Sequence, residues 1–95
     1  MNDLLRQIQN AVERAAECHA AHIESIPVLE AFRGQTVWEG VVEVFALTGH
    51  PKAKRAYGWA YDDGKETRYV AVLEIPPVTS PNTAVRAAIK SGAQK

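Results

Sequence analysis

Residues 49–61, "GHPKAKRAYGWAY", place Lys52, Lys54 and Arg55 directly before Tyr57, Trp59 and Tyr61. Cations that neutralise phosphates beside aromatic faces that stack bases are the chemistry of a single-stranded nucleic-acid groove, and Arg68 would extend it from the next strand. A second group is Cys18, His19 and His22, in which Cys18 and His22 have the four-residue spacing that sets two metal ligands on one helix face. Only His50 and Glu24 are evident candidates for completing a tetrahedral site, so no metal centre is assigned. The third group, Glu24, Glu30, Glu39 and Glu43 with His22 and His50, supplies carboxylates and imidazoles that acid–base catalysis could use. Cys18 as a nucleophile would need a histidine base and a third, orienting group that the sequence does not signal. Ser25, Ser80 and Ser91 lack the context of a nucleophile elbow, and the glycines are too scattered for a phosphate loop. No catalytic motif results and no cofactor is implied.

The elements that would carry these groups follow from periodicity. Leu4, Leu5, Ile8, Ala11, Val12, Ala15 and Ala16 recur at three- and four-residue steps, which predicts an amphipathic helix to about Cys18, capped by Asn2 or Asp3. From His22 to Phe32 the residues favour a strand, and Pro27, which cannot donate to a ladder, puts it at a sheet edge. After the turn "RGQT" comes a period-two segment, "VWEGVVEVFAL", with Trp38, Gly40, Val42 and Val44 on one side and Val37, Glu39, Val41, Glu43 and Phe45 on the other. "TGHPK" and "DDGKE" bracket a third strand from about Lys54 to Tyr61, and "TRYVAVLEI" is a fourth, stopped by Pro76 and Pro77. The tail predicts a helix with Thr79 or Ser80 as N-cap, Pro81 in its first turn and Gly92 just past its end. Connections this short make antiparallel neighbours. The expected fold is a single α+β domain over residues 1–95, a two-layer arrangement of helix, four-stranded antiparallel meander and helix, with both helices on one sheet face.

The loop between the third and fourth strands decides what the aromatics do. A three-residue loop of Asp62, Asp63 and Gly64 sets Tyr57 against Tyr69 and Trp59 against Thr67, on a face shared with Ala71, Leu73 and Ile75. In that register the rings form core. A two-residue turn of Asp63 and Gly64 instead sets Trp59 against Arg68 and leaves an amphipathic strip open to a ligand. The first register sorts apolar from charged residues better, and Lys52, Lys54 and Arg55 then form an exposed turn.

Eleven basic and eleven acidic residues cancel, so the net positive field that general nucleic-acid or membrane binding requires is absent. With 46% hydrophobic and 23% charged residues the composition is that of a globular domain. One cysteine rules out an internal disulfide framework, and Asp3 and Arg6 interrupt any signal-like run, so a cytoplasmic protein with no membrane partner is expected. A sheet about 19 Å by 30 Å offers more face than two helices about 10 Å wide can cover twice over. Ile26, Val28 and Phe32 share the first strand with Glu24 and Glu30, and Val41 and Phe45 share the second with Glu39 and Glu43. An apolar face rimmed by charge marks association. Val28, Phe32, Val41 and Phe45 are therefore the expected self-association face of a homodimer, with an unknown protein or small molecule as the other possible partner.

The block from Val37 to Ile89, with "VWEG", "GHPKAKRAY" and "PPVTSPNTAVRAAI" as its recognisable pieces, covers over half of the chain. In them the sequence resembles short bacterial proteins of the integron gene-cassette or mobile-element type, a group without an assigned activity. The resemblance implies a small stand-alone bacterial domain and brings no catalytic residue. The order of elements is near that of double-stranded RNA-binding domains, but the fourth strand and a last helix beginning "SPNTAVRAA", without their lysine cluster, set the chain apart. The leading expectation is an interaction or binding module that self-associates; single-stranded nucleic-acid binding through residues 52–61 and a small enzyme built on the sheet are the alternatives.

Overall fold

A computed structural model describes residues 3–92. The order is α1 (Asp3–Ala16), β1 (His19–Phe32), β2 (Gln35–Thr48), β3 (Arg55–Asp62), β4 (Thr67–Leu73) and α2 (Pro81–Ser91). The strands form one antiparallel sheet in the order β1-β2-β3-β4. Helix, four antiparallel strands and helix are the expected α+β arrangement; Asn2, a candidate cap, lies outside the described residues.

The sheet's two faces carry separate cores. In β3 the alternation is one of size: Tyr57, Trp59 and Tyr61 point one way, Ala56, Gly58 and Ala60 the other. Ile8 and Val12 of α1 lie directly over Gly58, where an added Cβ would come within 2.7 Å and 2.9 Å of their Cγ2 atoms. The small side of β3 lets α1 approach closely, with Ala20 and Phe45 completing that core. On the opposite face Tyr57, Trp59, Val42, Val44 and Val70 pack with Val28 and with Ala84, Val85 and Ala88 of α2. The helices therefore lie on opposite faces, which corrects the expectation of a two-layer fold. One helix each suffices because the large rings fill much of the α2 face themselves.

The β3–β4 register corrects a second expectation. Tyr57 pairs with Val72, Trp59 with Val70 and Tyr61 with Arg68, across a four-residue loop, Asp63–Glu66. Asp63 organises that loop: Oδ1 accepts from the backbone N–H groups of Lys65 (3.0 Å) and Glu66 (2.9 Å), and Oδ2 from Arg68 Nε (2.7 Å). Tyr57 and Trp59 are buried and Tyr61 partly so, but beside Val70 and Val72 and not beside Ala71, Leu73 and Ile75.

The β1–β2 hairpin is longer than expected, 14 residues in each strand. Its tip is a two-residue turn with Arg33 at φ 53° and Gly34 at φ 80°, the pair of positive angles a type I′ turn requires. β2 pairs with β3 only over Glu43–Ala46, so residues 35–42 carry the hairpin past the body of the sheet. Two bulges interrupt it. Ile23 is extra on β1 and Val37 is extra on β2. Past Ile23 the facing reverses, so that His22 shares the α1 face with Phe45 while Glu24, Ile26, Val28 and Glu30 turn toward α2.

The helix ends follow the sequence. Ser80 caps α2 by accepting from Thr83 N–H, Thr83 returns the bond to the Ser80 backbone, Pro81 opens the first turn, and Gly92 closes the helix at φ 79°. Among the described residues no helix is long and apolar enough to cross a membrane.

Candidate functional site

The basic and aromatic residues do not converge. Trp59 is 1% exposed and Tyr57 2%, and Trp59 meets Trp38 edge to face at 5.6 Å between ring centroids. Lys52, Lys54 and Arg55 are exposed and in no ion pair with another described residue. Arg68 lies opposite Tyr61, at the far end of β3, about 20 Å from Arg55 at 3.3 Å per residue. It is already bound to Asp63 and, through Nη2, to Glu66 at 3.1 Å. The Asp63 carboxyl is held far below the usual carboxylate range by Arg68 and by the backbone N–H groups of Glu66 and Lys65. His50 is committed to its turn, Nδ1 accepting from the N–H groups of Lys52 (3.0 Å) and Ala53 (2.8 Å).

The four glutamates are split between faces, Glu24 and Glu30 toward α2, Glu39 and Glu43 toward the α1 side. His22 Nε2 lies 2.8 Å from Glu43 Oε1, and the Ser25 hydroxyl donates to the same oxygen. The acid stands between serine and histidine, an order in which the imidazole cannot take the hydroxyl proton. These bonds cross from β1 to β2 on either side of the Ile23 bulge, which is a structural role. Cys18 lies beyond the end of α1 and His22 on β1, so the spacing that suggested two ligands on one helix face does not arise. Among the described residues no group of three or more His, Cys, Asp or Glu side chains is placed to hold a metal ion.

Of the expected association residues, Val28 is buried under α2 and Phe45 under α1. Phe32 and Val41 are 62% and 49% exposed. Two neighbours outside the expected face join them: Leu29, 53% exposed, and Val37, 52% exposed. Pro27, Leu29 and Val41 form an apolar strip on the α1 side of the hairpin, beyond the reach of α1, with Glu39 beside it. Phe32 and Val37 instead line a groove between the hairpin tip and α2.

That groove has a volume of about 660 Å³. Phe32, Val37, Pro77, Ala87 and Ile89 supply apolar walls, and Arg86 and Lys90 lie along it one helical turn apart. At its inner end the Glu30 carboxylate accepts from Arg86 Nε at 2.6 Å and from Asn82 Nδ2 at 2.7 Å. The Arg86 bond, then the Asn82 bond, hold Glu30 below the usual carboxylate range against the effect of its burial. Periodicity could not reveal this site, because it depends on the Val37 bulge and on α2 crossing β1.

No protein-family model, curated protein or solved structure matches this chain.

Proposed function

We propose that the protein is a small cytoplasmic interaction module of the bacterial mobile-element type that pairs with a second copy of itself through the outer face of the β1–β2 hairpin. The observation that carries this reading is the exposure of Leu29 (53%) and Val41 (49%), side by side with Pro27 on a sheet face that neither helix covers. A flat strip of this kind is satisfied by the same strip about a two-fold axis, each copy supplying the surface the other lacks. Glu39 then lies at the rim, in water, while Glu43 stays bonded to His22 and Ser25.

The strip is small, so the pair is weak and its population depends on protein concentration. Light scattering across a concentration series tests this: the mass should rise from that of a monomer toward that of a dimer, and Leu29→Lys should abolish the rise while leaving circular dichroism unchanged. A wild-type mass that stays monomeric throughout, or a Leu29→Lys protein that still doubles its mass, refutes the reading.

Nucleic-acid binding keeps an exposed basic turn but loses its stacking platform, since Trp59 and Tyr57 are core. The enzyme reading retains two bonded pairs, His22–Glu43 and Glu30–Arg86, on opposite faces of the sheet.

A further inference from the structure

The groove between the hairpin tip and α2 has a charge pattern that its structural role does not require. Arg86 and Lys90 are four apart on α2, so they lie one above the other on one helix face, where like charges repel. Glu30 answers Arg86, and among the described residues it is the only acidic one of the lining. No described carboxylate pairs with Lys90. One negative and two positive charges leave the lining at net +1. The walls around these charges are apolar, and Phe32, Val37 and Ile89 keep 62%, 52% and 37% of their surfaces exposed. A volume of about 660 Å³ lies inside the roughly 300–1,000 Å³ range of sites for small ligands.

We infer that this groove is a binding site for a small amphipathic carboxylate, an aliphatic monocarboxylic acid whose chain covers Phe32, Val37 and Ile89 and whose head lies at Lys90 and the outer nitrogens of Arg86. The anion relieves the repulsion between the two cations, and the chain removes three large apolar side chains from water. Arg86 contributes without leaving Glu30, because only Nε is bonded to that carboxylate. A neutral amphiphile gains the chain contacts alone. A cationic one meets the uncompensated charge.

The test is a methyl NMR titration of the full-length protein, at a concentration where it is monomeric, with decanoate, decanol and decylammonium below their micelle concentrations. Decanoate should shift the Val37 and Ile89 methyls with a millimolar or tighter Kd, about three- to tenfold tighter than decylammonium. Lys90→Glu, a change on an exposed last-turn side chain, should erase or reverse that preference while decanol binding stays the same. Equal binding of the two charged probes, an unaltered preference in Lys90→Glu, or shifts confined to Leu29 and Val41 on the other face would each overturn the inference. Retention of decanoate binding in Leu29→Lys separates this site from the self-association surface.

Discussion

Arg86 on α2 donates a 2.6 Å hydrogen bond from Nε to the carboxylate of Glu30 on β1, fifty-six positions away in the chain. The bond fastens the last helix to the edge strand and closes the inner end of the groove. Arg86, and after it Asn82, hold the Glu30 carboxyl below its ordinary value of 4.5. A lowered folded-state value means stability that is present above the ordinary value and is lost as pH falls through the folded one. Glu30→Gln keeps the shape and removes the charge. Its urea midpoint should lie below that of the wild type at about pH 7, with the two converging toward about pH 3. A gap that does not change with pH would show that the charge contributes nothing.

Tyr57 gives the opposite dependence. Burial, and then the hydroxyl's bond to Glu74 and the charge of that residue, hold the phenol well above its ordinary value of 10.0. Stability from a raised group is complete below the ordinary value and lost as pH rises toward the folded one. Tyr57→Phe should cost about 0.5–1.5 kcal/mol near neutrality, and its stability should fall less steeply than the wild type's above about pH 10. Parallel alkaline profiles would contradict this.

Gly58 sets the spacing of α1. An added Cβ at 2.7 Å from Ile8 Cγ2 cannot be accommodated in place, so Gly58→Ala should destabilise by about 1–3 kcal/mol. Ile8→Ala alone should cost about 2–5 kcal/mol by leaving a cavity. Together they should cost less than their sum by about 1 kcal/mol or more, because the new methyl enters the space the isoleucine vacates. Additive losses would mean that α1 moves to absorb the change.

The two tryptophans should separate by quenching. Trp59 is 1% exposed, whereas Trp38 is only partly buried within the hairpin arm. Acrylamide should quench the single-tryptophan protein Trp38→Phe much less than Trp59→Phe, at equal far-ultraviolet ellipticity. Comparable quenching would put Trp59 at the surface and restore the stacking strip.

The parts of the fold that could be read in advance are those fixed by local chemistry. Ser80, Pro81 and Gly92 mark α2 because caps are local, and the alternation from Trp38 to Phe45 marks β2 because each side chain has only two faces to choose from. The β3–β4 register was not readable for a physical reason. Register is specified by a contrast between a wet and a dry face, and here both faces of these strands are covered, so Val70 and Val72 compete with Ala71 and Leu73 on equal terms. The placement of the helices fails on the same point, since the contrast that matters in β3 is large against small. Val28 and Phe45 read as one open face only if both helices cover the other; they lie on opposite faces, Val28 under α2 and Phe45 under α1. The groove is built across the Val37 bulge, which breaks the alternation with no glycine or proline at that position to announce it.

The central claim, that the outer hairpin face is where two copies meet, is tested most directly by methyl NMR spectra of the wild-type protein across a dilution series. The Leu29 and Val41 methyls should shift with protein concentration along one binding curve, while those of Val28, buried under α2, and Val12, buried between α1 and the sheet, stay fixed. Concentration-independent Leu29 and Val41 signals, or shifts centred on any other surface, would contradict it.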